Sequence, residues 1–193
     1  MSYMLIQPPM DLLTFHEKTK PELKRYYEWF MGEIPGRIRV LETFVREDPF
    51  YSNWSADYSR ESLIGLGEWF VGQIGIRSAG RDEVETIRKS LKFPVDIPDW
   101  DLDPKTISLC FDIGMYLGEV ILRNKESAHW GVYLARKRDV NYGQPAVIGL
   151  AAGDINVVRV VRVTARNNVT NSSGPTKLVV IYDRWVNFVL EAM

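Results

Sequence analysis

The chain has 193 residues and a formal net charge of −1, from 24 Lys+Arg against 25 Asp+Glu. That balance excludes a whole-chain basic footprint for nucleic acid and an acidic disordered tail, while 46 % hydrophobic residues are enough for a core. The single cysteine, Cys110, excludes a disulfide framework and a cysteine-rich zinc site, and two histidines, His16 and His129, leave little for histidine-based metal chemistry.

The length fits one domain over residues 1–193. The opening MSYMLIQPPMDLL has no basic stretch, and Pro8-Pro9 interrupts its short apolar run, so it does not read as a signal peptide. No run approaches the roughly 18 apolar residues of a membrane span. A cytoplasmic location without membrane contact is the expectation. Asn168-Val-Thr170 and Asn171-Ser-Ser173 match the glycosylation pattern, but read better as a polar turn.

The first helix is expected from Thr19, where Thr19-x-x-Glu22 forms a capping box and Pro21 sits in the first turn. Leu23, Tyr26, Tyr27, Phe30 and Met31 follow at helical spacing. Ile34, Ile38, Leu41 and Val45 repeat the pattern, as a second helix or a kinked continuation past Pro35 that stops at Pro49. Residues 50–57 read as an aromatic loop, and Asp57 or Ser59 as the cap of a helix over about 59–76. Residues 82–91 read as a short helix. FPVDIPDWDLDP reads as a stiff crossing held by Ile97 and Trp100, more a strap than a lid.

Asp103-Pro104 is a cap followed by a first-turn proline and should start a helix that runs to Arg123. Its surface is apolar or small almost all round, which marks it as the central buried helix. Gly114-x-x-x-Gly118 leaves a smooth strip, and Gly118 should face another helix at backbone distance. Trp130, Val132 and Leu134 alternate as a strand, Pro145–Leu150 is a second, and Asn141 and Gly143 supply the turn of a β-hairpin. The valines of 156–166 argue for strand, but Arg159, Arg162 and Arg166 share one helical face behind the cap residue Asn156, so a helix is expected. A last helix should start near Thr176. The fold class is α+β, mainly α: a single helical domain with a central buried helix and a small β-hairpin.

Chemistry is thinly supplied. Gly65-Leu-Gly67 lacks the third glycine, preceding strand and lysine of a nucleotide loop, and no Gly-x-Ser-x-Gly elbow exists. Cys110, among apolar neighbours, should be an inert buried thiol. Leu66-Gly67-Glu68 recurs as Leu117-Gly118-Glu119, so Glu68 and Glu119, with Asp112 on nearly the face of Glu119, form either packing with internal ion pairs or a carboxylate cluster for general acid–base work. That cluster, with His129, is the basis of an alternative hydrolase or lyase reading. Arg136-Lys137-Arg138 and the Arg159/Arg162/Arg166 face are the only basic clusters. They read as a solvated face with ion pairs, or as a site for an anion, a nucleotide or an acidic protein partner.

Asp112–Val120, the Arg123-Asn124 turn, Trp130 opening a strand, Asn141-Tyr-Gly-Gln-Pro145 and Leu178-x-x-x-Tyr182-x-x-Trp185 together resemble small bacterial cytosolic proteins of the kind found among immunity proteins of toxin systems. The resemblance covers about residues 104–190 and brings no catalytic residue with it. It implies a non-enzymatic protein-binding role toward a protein partner, such as a toxin domain; the balanced charge, the short apolar runs and the few Cys and His residues argue for no nucleic acid, no membrane, no metal and no cofactor, and for a basic or mixed protein partner. Large aromatics with arginines make good interface anchors. The candidate contact loops are 50–58 and 96–102, and the candidate binding residues are Tyr51, Trp54, Tyr58, Trp100, Arg159 and Arg162, with no catalytic residue.

Overall fold

The computed structural model describes residues 2–10, 15–80, 85, 88, 97–171 and 174–187. The helix expected over 82–91 falls almost entirely outside the described residues. So do the first four residues of the FPVDIPDWDLDP crossing, part of the Asn171-Ser-Ser173 turn, and Phe188 and Val189 of the last helix.

The fold is α+β and mainly α. Helix α1 (Lys20–Arg46) is one continuous element rather than two, with Pro35 inside it. Glu22 reaches back to accept the Thr19 backbone N–H at 2.8 Å, as the capping-box spacing requires. A single 3₁₀ turn (Pro49–Tyr51) follows the helix. Helix α2 (Ser62–Val71) is shorter than expected at both ends. Asp57 and Ser59 do not cap it directly. Asp57 accepts from the Ser59 amide and the Ser59 hydroxyl from the Ser62 amide, so both order the turn that leads into it. Ile76, the expected last residue of that helix, instead opens strand β1 (Ile76–Ser78). The strand pairs antiparallel with β2 (Trp100–Leu102), so the crossing ends in a strand.

Helix α3 (Pro104–Asn124) starts where Asp103-Pro104 directs, with the Asp103 carboxylate accepting the Thr106 amide at 2.7 Å. Buried residues surround it, and Ile113, Met115, Tyr116 and Leu117 are fully buried. Strands β3 (His129–Val132) and β4 (Pro145–Ile148) make the second antiparallel pair, in the register Trp130 opposite Val147. Strand β3 stops before Leu134, which is exposed. Helix α4 (Val157–Asn171) confirms the helical reading of the valine-rich segment, and the Asn156 side chain accepts the Arg159 amide at its start. Helix α5 (Lys177–Val186) closes the described chain.

The glycine strip of α3 works differently from expectation. A Cβ on Gly114 would sit 2.7 Å from the Val158 Cα and 2.9 Å from its N, so Gly114 is where the backbone of α4 crosses α3. Gly118 does not face a helix. A Cβ there would overlap the Trp130 ring, whose indole N–H donates to Glu119 at 2.9 Å. Gly67, in the matching Leu-Gly-Glu of α2, instead meets the Pro175 carbonyl ahead of α5.

Candidate functional site

The three carboxylates singled out in the sequence do not form one cluster. Asp112 is fully buried and held on both oxygens by Arg37, at 2.7 Å from Nε to Oδ1 and 2.7 Å from Nη2 to Oδ2. The Tyr3 hydroxyl also donates to Asp112, and Arg37 Nη2 donates onward to the Met4 carbonyl at 2.8 Å. Burial pushes the Asp112 carboxyl up while Arg37 and Tyr3 pull it back; both oxygens are engaged by structural donors. Glu119 takes the Trp130 indole and lies 4.0 Å from Arg123. Glu68 is exposed. His129 is exposed and contacts the Ser127 carbonyl, at 3.3 Å. Among the described residues no three His, Cys, Asp or Glu side chains form a group that could hold a metal.

The aromatic loop is mostly an internal brace. Trp54 donates its indole N–H to the Ser62 carbonyl at 2.9 Å and packs edge-on against Tyr116, with ring centroids 5.7 Å apart. The Tyr58 amide donates to the Tyr116 hydroxyl at 3.0 Å, and the Arg123 guanidinium lies over the Tyr58 ring. These contacts hold Tyr58 at φ 63°, a left-handed conformation costly for a bulky residue. Tyr51 is half-buried against the core, whereas Phe50 stands 94 % exposed. Trp100 lies half-buried on β2 with the Arg166 guanidinium over its ring.

The arginine face divides. Arg162 and Arg166 turn toward Asp101 of β2, Arg162 at 3.8 Å and Arg166 in close contact, and Arg77 joins them at 3.8 Å. Arg159, exposed at the first turn of α4, makes no ion pair among the described residues; neither do Lys137 and Arg138, exposed on the β3–β4 loop.

These groups surround one cavity of about 800 Å³. Its floor is Ile107, Cys110 and Phe111, on the face of α3 that precedes the Gly114 crossing, with Phe30 and Tyr26 of α1 beside it. Phe15, Tyr142 and Val158 complete the apolar wall. Lys137, Arg138, Arg159 and Arg162 supply the positive charge, and Asp139 a carboxylate. Asp139 accepts the Asn141 amide at 2.8 Å and the Tyr133 hydroxyl at 3.2 Å, which with Arg159 keep it ionised below its usual range. Asn156 and Gln144 are bonded to each other at 2.9 Å, which ties the start of α4 to β4. Burial pushes the Cys110 thiol up to about 12, so it contributes shape and not nucleophilicity. A smaller pocket of about 370 Å³ lies between α4 and α5 and shares Asn156 and Arg159 with the first.

Comparison with known proteins finds no matching family model, no matching curated protein and no matching solved structure. Two of the six expected binding residues, Arg159 and Arg162, belong to the cavity; Tyr51, Trp54, Tyr58 and Trp100 do not line it. Tyr26, Phe30 and Phe111 are the helix-core positions that the sequence indicated, and they back the cavity from within the core. No described helix is long and apolar enough to cross a membrane.

Proposed function

We propose that this chain is a non-enzymatic binding protein whose cavity takes a ligand with a negatively charged head and an apolar body. The observation that carries this reading is the meeting of two basic segments around one apolar-floored space. Lys137 and Arg138 come from the β3–β4 loop and Arg159 from α4; none of the three makes an ion pair among the described residues, and Asp139 is the carboxylate that feels the charge of Arg159. Cations on the rim and buried rings beneath match an amphiphilic anion. We favour this over the alternative hydrolase or lyase reading because both oxygens of Asp112 are held by Arg37 and Tyr3, and Glu68 and Glu119 have separate surroundings.

The aromatic anion 8-anilinonaphthalene-1-sulfonate is a direct probe. Its fluorescence should rise with one-to-one saturation on the native protein, and Lys137→Glu/Arg138→Glu should weaken binding tenfold or more without changing the melting temperature. Equal binding by the double variant would contradict the reading.

The protein-partner reading keeps one observation of its own. Val163 and Val180, 43 % and 50 % exposed, stand over the smaller pocket between α4 and α5, with Arg159, Lys177 and Arg184 around it. We propose this strip as the contact for an acidic protein surface, a toxin domain being the partner class implied by the resemblance. A partner recovered from the native host should be lost with Val180→Asp and retained with Phe50→Ser.

A further inference from the structure

We propose that the cavity ligand is an aromatic ring system bearing a di- or polyanionic phosphate, that is, a free nucleotide. This rests on the binding reading above and narrows it by charge, wall chemistry and size.

Charge comes first. Among the described residues, four cationic side chains, Lys137, Arg138, Arg159 and Arg162, line the cavity against the carboxylate of Asp139. Arg162 is shared with Asp101, which Arg77 and Arg166 also approach, so it is only partly neutralised. A monocarboxylate would leave most of this charge uncompensated in a partly enclosed space. A phosphate dianion or a polyphosphate matches it, and the guanidinium fork fits phosphate oxygens in pairs. The concentration of charge is local, because the whole chain carries −1.

The wall then selects the body of the ligand. Tyr142, half-buried on the β3–β4 loop, is the one Phe, Tyr or Trp ring among the described lining residues that is not buried, with Phe15, Tyr26, Phe30 and Phe111 packed in the core behind it. Aromatic surfaces favour planar rings through offset and edge-on contacts, which a flexible alkyl chain does not match. The volume of about 800 Å³ lies in the range of small-molecule sites and leaves room for both a base and its phosphates. The site owes nothing to Gly65-Leu-Gly67, which lies on α2 away from the cavity.

The test is equilibrium dialysis with AMP, ATP, inorganic pyrophosphate and octanoate on the full chain, each also run as a competitor of the fluorescent sulfonate. ATP should bind one-to-one and displace the sulfonate. AMP should bind more weakly than ATP, pyrophosphate at least tenfold more weakly than ATP, and octanoate weakest. Lys137→Glu/Arg138→Glu should weaken ATP tenfold or more. Tyr142→Ser, at a half-buried wall position, should weaken AMP and ATP and leave pyrophosphate unchanged. Sulfonate binding that neither AMP nor ATP displaces would overturn the nucleotide assignment and leave the broader reading standing. Pyrophosphate binding as tight as ATP would overturn the aromatic half. No binding by any probe, the sulfonate included, would overturn both.

Discussion

The Trp130 ring occupies the space that a side chain at Gly118 would need, and its indole N–H ends on the next residue of the same helix, Glu119. One strand residue is thereby fixed by a missing side chain and a carboxylate in adjacent positions. Phe30 meets the same indole edge-on, with centroids 5.4 Å apart, so the hairpin is anchored to both α1 and α3. That anchor places the β3–β4 loop, and with it Lys137 and Arg138, over the cavity.

Two glycines should therefore be intolerant and a third tolerant. Gly118→Ala must displace the Trp130 ring and Gly114→Ala must push the Val158 backbone away; each should cost about 1–3 kcal/mol as overpacking. Gly32, exposed within α1, has nothing within 4 Å of its would-be Cβ. Gly32→Ala should stabilise by about 0.5–1 kcal/mol through helix propensity. Urea unfolding of the three variants checks the order, and a stable Gly114→Ala would contradict the close crossing.

The Arg37–Asp112 pair should be an all-or-none element. Arg37→Met leaves a fully buried carboxylate without its cation and should cost about 3–5 kcal/mol. Tyr3→Phe removes one donor and should cost about 1–3 kcal/mol. The 2–10 segment would also loosen, since Arg37 holds the Met4 carbonyl and Ser108 holds the Ile6 amide. Amide exchange at Ile6 reads this directly, and unchanged protection in Arg37→Met would contradict the tethering of the 2–10 segment by Arg37.

Within the aromatic loop, adjacent rings should behave oppositely. Trp54→Ala removes a ring bonded to Ser62 and packed on Tyr116 and should cost about 3–5 kcal/mol. Phe50→Ser, at a 94 % exposed position, should stay within about 0.5 kcal/mol of the parent. Thermal melts separate the two, and a neutral Trp54→Ala would return that residue to the surface.

Arg60 grips Asp183 on both oxygens, at 2.7 and 2.6 Å, and holds its carboxyl below the ordinary range. A depressed folded-state value gives stability that is present above the unfolded value of about 3.9 and is lost as pH falls through the folded one. Asp183→Asn should be less stable than the parent at neutral pH, with the difference closing as the pH falls below the ordinary carboxylate range. A difference that does not change with pH would show that the ion pair is not its source.

The helices were legible where caps and period agreed. Asp103-Pro104 set the start of α3, and Asn156 with the three-residue and four-residue arginine spacing outweighed the strand preference of the valines in α4. The β1–β2 pair was not legible, because three-residue strands beside prolines and aspartates carry no period of their own. Gly118 was recognised as a close-approach site, but its neighbour was not, since nothing local to α3 says whether a helix or an indole arrives. Both basic clusters were visible, yet their meeting depends on where Trp130 pins the hairpin, which is a tertiary fact. The paired Leu-Gly-Glu motifs left packing with internal ion pairs and a carboxylate cluster both open; the cluster does not form, because Gly67 and Gly118 receive different neighbours.

The central claim is that ligand binds in the cavity between α1, α3, α4 and the β3–β4 loop. Backbone amide shifts of isotope-labelled protein, titrated with 8-anilinonaphthalene-1-sulfonate, test it most directly. Saturating shifts should concentrate at Lys137–Val140, Tyr142, Cys110–Phe111 and Val158–Arg162, and stay small around Phe50 and Glu68. Shifts centred on the aromatic loop or on α5, with the cavity residues unmoved, would contradict the account.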